Sequence, residues 1–132
     1  MLPQQNTHLG IDHRLCGVPL VLAKGAASVA LVTTAEMAAD GRGLVHGGFV
    51  FGLADFAAML AVNDPNVVLA SAETRFRRPV QVGDRLVAAA HVDETTGRKN
   101  RVHVEVRRGE ELVMTGELHC LVLERHVLDQ KT

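Results

Sequence analysis

From Gly47 to Val62 the chain runs GGFVFGLADFAAMLAV, apolar or glycine at every position except Asp55. No polar stripe interrupts it, so the segment predicts a helix that must be covered on nearly all sides. Gly47 and Gly48 open this helix, and Asn63-Asp64-Pro65 is its stop signal. It falls short of the roughly 20 apolar residues of a membrane span, carries an acid and contains Gly52, which predicts a buried helix instead. Elsewhere the period is that of strands. Leu15 to Met37 reads as strand broken near Lys24-Gly25, and the loop AADGRG follows. Val67 to Val80 reads as strand ending at Pro79 and the turn VGD, after which RLVAAAHVDE resumes. A turn at Thr96 to Asn100 leads into RVHVEVR, where Val102, Val104 and Val106 alternate with Arg101, His103, Glu105 and Arg107. RRGEE then turns the chain into LVMTGELHCLVLE, the last long strand.

Residues 1–15 are polar and form an extended or short helical lead-in to a single domain spanning 1–132. Short turns between the strands predict antiparallel neighbours. A curved antiparallel sheet wrapped around one long central helix is the α+β hotdog fold. A second copy of the chain would cover the helix where the sheet does not. A ferredoxin-like fold would need a second helix, and the pattern supplies none.

Composition narrows the function classes. The 132 residues suffice to bury about two thirds of the surface. With four Phe and no Trp or Tyr, the core must be built from Val, Leu, Ala and Met. A net charge of -1 gives no general pull toward nucleic acid or an anionic membrane, so neither is expected as a partner. The beginning MLPQQNTHLGIDHR has no hydrophobic signal core, which predicts a cytoplasmic location. Cys16 and Cys120 have no metal-like spacing and are expected reduced, buried and inert. His8, His13, His91, His103, His119 and His126 likewise lack metal-ligand spacing, and no metal is expected.

Asp55 is the residue that demands a reason, because an unsatisfied carboxylate in an apolar helix costs several kcal/mol. The stretch Asp40-Gly41-Arg42-Gly43-Leu44-Val45-His46-Gly47-Gly48, followed by Leu53-Ala54-Asp55, resembles the signature of hotdog acyl-CoA thioesterases, in particular the phenylacetyl-CoA thioesterase (PaaI-like) group. FRRPVQVGDRLVAAAHV, from Phe76 to Val92, is similar to that group's strand-turn-strand segment. The resemblance implies hydrolysis of an acyl-CoA to a carboxylic acid and free CoA by a homodimer, commonly paired into a tetramer. Coenzyme A enters as part of the substrate, and no metal or redox cofactor is implied.

The physical chemistry agrees. Unpaired amides at a helix start polarise an acceptor, and glycine lets a ligand carbonyl approach the backbone at Gly47 and Gly48. Asp55 would act as general base on water or as nucleophile, and burial raises its pKa. Gly47 and Asp55 lie about 12 Å apart along the helix, too far to share one thioester carbonyl. If both act, they come from different chains related by a two-fold axis. His46 contacts substrate or supports the loop. Asp40 departs from the family's Asn six residues before the His; an ionised Asp accepts hydrogen bonds but cannot donate one, which bears on water positioning. Arg75, Arg77 and Arg78 suit the phosphates of CoA or form a solvated basic face. Phe49, Phe51 and Met59 are candidates to line the acyl pocket. RFRRPV also resembles the effector domain of the malonyl-CoA-sensing fatty-acid repressor, which implies the alternative of a non-catalytic acyl-CoA sensor. Such a binder needs no buried acid in the helix.

Overall fold

Why the chain folds as it does is plainest at the helix with no polar face. In the computed structural model, which describes residues 3–130, that helix forms as expected and a sheet closes on it. In chain order the elements are α1 (His13–Cys16), β1 (Val18–Ala23), β2 (Ala26–Val32), a 3-10 turn (Ala35–Met37) and α2 (Gly47–Val62). Then come β3 (Val67–Phe76), β4 (Arg85–Thr96), β5 (Lys99–Arg108), β6 (Glu111–Val122) and a closing 3-10 turn (Val127–Asp129). α2 ends at Asn63 in the left-handed conformation, whose N–H bonds Met59 O.

The six strands form one antiparallel sheet in the order β1-β2-β4-β5-β6-β3. Its inner face supplies Val29 and Leu31 from β2, Leu86 and Ala88 from β4, Val102, Val104 and Val106 from β5, and Met114 and Leu118 from β6, all essentially without solvent access. The valine alternation of β5 thus faces the helix as predicted. This is the hotdog fold.

One expectation fails. Short turns predict that every consecutive pair of strands are neighbours, yet β3 does not pair with β4. β3 instead lies beside β6, from Val67 opposite Val122 to Phe76 opposite Met114. The chain between β3 and β4 is a traverse and not a turn. Arg77 N–H donates to Val113 O at 2.8 Å, Val45 N–H to Val80 O at 2.8 Å, and Gly83 N–H to Thr33 O at 3.0 Å. Pro79 has no N–H to offer a ladder, so the strand stops before it and the segment crosses to β2. The Thr33 hydroxyl fixes the landing by donating to Gln81 O and Asp84 O.

The lead-in is also structured. Asp12 caps α1 by accepting from Arg14 N–H at 2.8 Å, and Asn6 N–H donates to Asn63 Oδ1 at 2.8 Å. The crossing from α1 to β1 runs through Gly17, at φ 109°. A Cβ there would lie 2.6 Å from Val29 Cγ1, 2.9 Å from Ala30 O and 3.0 Å from Leu53 Cδ1. Gly17→Ala therefore combines a disfavoured backbone with overpacking. It is expected to destabilise the fold by about 2–4 kcal/mol, read as a lower urea midpoint, whereas Gly10→Ala leaves the midpoint unchanged within about 0.5 kcal/mol.

Candidate active site

The start of α2 is held by the loop before it. Met37 O accepts from His46 N–H at 2.8 Å, and Ala39 N–H donates to Leu44 O at 2.7 Å, closing a tight excursion over residues 40–43. Asp40 Oδ1 braces it by accepting from Arg42 N–H at 2.9 Å and Leu44 N–H at 3.2 Å. This duty uses only an acceptor oxygen, which Asp and Asn both provide. The departure at Asp40 therefore leaves the loop intact.

His46 is the N-cap residue of α2, but its side chain makes no capping bond. The ring folds over Gly48 instead: a Cβ on Gly48 would lie 2.9 Å from His46 Nε2 and 3.0 Å from Cδ2. It meets Phe49 edge-on at a centroid separation of 6.1 Å. Glycine at 48 is thus what gives the imidazole its place. Gly47 is exposed and only touches Phe76, 3.6 Å from where its Cβ would be. The first amides of a helix lack intrahelical acceptors, and those of Gly47 and Gly48 find no backbone acceptor among the described residues. They are free donors at the positive end of the helix dipole.

Asp55 sits two turns further on, on the side of α2 that the sheet leaves half covered. Phe51 and Gly52 share that side, and beside Gly52 there is open space. Oδ1 of Asp55 has no solvent access and no hydrogen-bond partner. Desolvation pushes its pKa up to about 6. Burial also pushes the Cys120 thiol up to about 12, with the Asp55 charge adding to it. The Cys16 thiol is raised by burial first, then by Asp12 and Asp55. Both cysteines are free thiols without thiolate character, as expected, although Cys16 is only partly buried.

Other candidates lie elsewhere. Arg75 and Arg77 line an open groove of about 680 Å³ with Glu73, His103, Thr115 and Glu117. That groove is on the outer face of the sheet, since the alternate residue Phe76 is the one that meets Gly47. Arg78 pairs with Glu111 at 3.6 Å. A single chain therefore does not bring the arginines beside Asp55. Met59 is fully buried in the core, so it does not line a pocket, whereas Phe49 and Phe51 remain partly open. A second groove, about 550 Å³, joins Asp40 and Arg42 to Gln81, Asp84 and Arg108. Arg108, at the end of β5, donates to Oδ2 of Asp84 in the turn before β4 at 2.7 Å, a pairing that no sequence spacing signals. Neither groove contains Gly47 or Asp55.

A six-stranded antiparallel sheet wrapped on one long helix defines a hotdog protein. Residues 42–115 match the thioesterase superfamily, and the chain belongs to that family. Among solved structures it is 53% identical to PH1136 of Pyrococcus horikoshii, with 98% of this chain and 99% of that one covered at a TM-score of 0.96. It is 34% identical to a mutant of the phenylacetic acid degradation protein PaaI of Thermus thermophilus, covering 83% and 95% at a TM-score of 0.77. Two curated relatives are longer than this chain. The methylthioribose-1-phosphate isomerase of Aquifex aeolicus is 51% identical over 117 residues, 89% of this chain but 26% of that protein. The transcription factor FapR of Caldanaerobacter subterraneus is 30% identical over 89 residues, 67% of this chain and 44% of that protein. The chain thus spans between about a quarter and a half of these two relatives. Among the described residues no helix is long and apolar enough to cross a membrane.

The raised Asp55 pKa has a consequence for stability. Between the ordinary value of 3.8 and the folded value of about 6, the folded chain keeps a proton that the unfolded chain has released. Stability therefore falls as pH rises through that window and levels off above it. Asp55→Asn is expected to be more stable than the wild type above pH 6, by up to about 3 kcal/mol, and to lose that advantage toward pH 4. Urea unfolding at fixed protein concentration across this range measures the difference.

Proposed function

We propose that the protein is an acyl-CoA thioester hydrolase working as a homodimer with composite sites, in which Gly47 of one chain faces Asp55 of the other. The observation that carries this reading is Asp55: a carboxylate with a sealed, unpartnered oxygen, raised to a pKa of about 6, on the half-covered side of an apolar helix. At neutral pH it is mostly ionised yet more basic than a solvated Asp, which suits a general base. Membership of the thioesterase superfamily and the likeness to PaaI support the same chemistry.

In this scheme Asp55 takes a proton from water as the water oxygen attacks the thioester carbonyl. The Gly47 amide donates to the oxygen that becomes negative. Collapse of the tetrahedral intermediate breaks the C–S bond; CoA leaves as its thiolate, and the proton held by Asp55 returns to it. His46, lying over Gly48, borders the carbonyl, while Asp40 fixes the loop. Phe51 and Gly52 offer the acyl group an apolar face with room beside it. Hydrolysis written this way needs neither metal nor redox cofactor.

Two features support assembly. The half-covered side of α2 leaves apolar surface to bury. β3 is an edge strand with a free row of backbone groups, and Phe76 at its end is 54% exposed beside Gly47. A second copy docked there across a two-fold axis would run the two α2 helices antiparallel and complete two sites. Arg75 and Arg77 would meet the CoA phosphates only where the cofactor's tail leaves the dimer edge, and pairing of dimers into tetramers would add further contacts.

The second reading is an acyl-CoA sensor without turnover, favoured by the likeness to FapR. A panel of acyl-CoAs, read by mass spectrometry on the wild type and Asp55→Asn, separates the two. The hydrolase loses about 10²–10⁴-fold in kcat with Asp55→Asn while its dimer persists in sedimentation. Its kcat/KM in the wild type rises with pH through about 6 to a plateau, the free-enzyme ionisation of Asp55. Tight binding with no turnover in either protein would establish the sensor. Gly48→Ala, which evicts the His46 ring, is expected to lower activity at unchanged oligomeric state.

A further inference from the structure

Strand register assembles a second polar constellation on the outer face of the sheet, away from α2. His91 on β4 stands opposite His103 on β5, and His103 opposite Glu117 on β6. An irregularity between Val92 and Glu94 turns Asp93 back toward this row. His91 Nε2 lies 2.7 Å from Asp93 Oδ1, and His103 Nδ1 lies 2.9 Å from Glu117 Oε1. The two imidazole rings are 5.3 Å apart. One ligand-type atom each from Asp93, His103 and Glu117 falls within 4.8 Å of the other two. The second oxygen of Glu117, Oε2, has no solvent access and no hydrogen-bond partner.

Such a cluster needs positive charge, and the nearby arginines are committed elsewhere. Arg101 pairs with Glu94 at 3.4 Å and Arg107 with Glu105 at 3.3 Å. Arg75 and Arg77 lie further along the groove that His103 and Glu117 share. An orphaned carboxylate oxygen beside an imidazole and a second carboxylate is a donor set that lacks its acceptor.

We propose that Asp93, His103 and Glu117 bind a divalent transition-metal ion, with zinc the best match, and that His91 orients the Asp93 carboxylate. Zinc takes imidazole nitrogen at about 2.0–2.1 Å and carboxylate oxygen at about 2.0–2.2 Å, so tetrahedral ligands stand roughly 3.3 Å apart. The side chains reach that spacing by rotating about 1 Å inward, and because they are partly exposed the backbone need not move. An imidazole in the set disfavours magnesium and calcium, which prefer oxygen alone. Three protein ligands leave a fourth position for water. The ion would clip β4, β5 and β6 together and stabilise only the folded chain. This site is independent of the helix chemistry, because it lies on the opposite face of the sheet.

The test is calorimetric titration of the untagged full chain, stripped of metal, with Zn²⁺ and separately with Mg²⁺. Expected are one Zn²⁺ per chain, a rise in the thermal midpoint with Zn²⁺ and no binding of Mg²⁺. His103→Gln and Glu117→Gln should each weaken Zn²⁺ binding by at least about 100-fold, and His91→Gln by about 10–100-fold. Cys16→Ser, which removes the partly exposed thiol, should leave it unchanged. Circular dichroism of each metal-free variant verifies the fold, and Asp93→Asn replaces any ligand variant that fails this check. The proposal is overturned by absence of saturable Zn²⁺ binding to the wild type. It is equally overturned if folded ligand variants retain wild-type affinity, or if Cys16→Ser abolishes binding.

Discussion

Helix α2 has no polar stripe, and a sheet can cover only part of a helix's circumference. That mismatch organises the molecule. Strands β2, β4, β5 and β6 turn their apolar sides to α2, the lead-in sets His8 and His13 beside Phe56, and Leu53, Ala54, Phe56, Ala57 and Leu60 are completely buried. The side bearing Phe51, Gly52 and Asp55 keeps partial access to solvent. Apolar area left this way is worth roughly 25 cal/mol per Å² to whatever covers it. A fold that leaves its central helix unfinished builds in a reason to associate.

The candidate chemistry occupies the unfinished side. Asp55 would be cheaper as Asn or Ala, since its Oδ1 lacks both water and a partner in its own chain. What the chain gives up in stability it regains as basicity, because the desolvation that penalises the charge also strengthens the carboxylate as a proton acceptor. Its complement in the proposed scheme, the pair of free amides at Gly47 and Gly48, lies two turns back at the start of the same helix. A rigid helix cannot bring these two positions together, which is why the proposed scheme draws them from different chains. Around the amides the supporting parts are small and local. Asp40 holds two loop amides, and the missing side chain of Gly48 leaves space for His46.

The outer face of the sheet follows a different rule. Strand alternation sends every second residue of β4, β5 and β6 outward, and register decides which outward residues become neighbours. That is how His91, His103 and Glu117 form one row although they are far apart in the chain. Arg75 and Arg77 are candidates for contact with the substrate's phosphates on chemistry alone. They project from this outer face, opposite to Phe76, so within one chain they belong with His103 and Glu117 and not with Asp55.

Local pattern was enough to read the helix from Gly47 to Val62, the valine face of β5 and the oddness of Asp55, because helix and strand periods and the cost of a buried charge are properties of short stretches. The separation of Gly47 and Asp55 was readable for the same reason, since both lie on one helix of known rise, whereas the HGG-to-Asp segment stood out by its resemblance to the thioesterase signature. The placement of β3 beside β6 was not, since Pro79 ends a strand without saying where the next begins. Nor did sequence show that Met59 faces the core or that His91, Asp93, His103 and Glu117 converge. Which residues a helix turns inward, and which strands lie side by side, depend on contacts between segments distant in the chain. Those contacts are settled by the joint burial of the whole apolar surface, and only the tertiary structure expresses them.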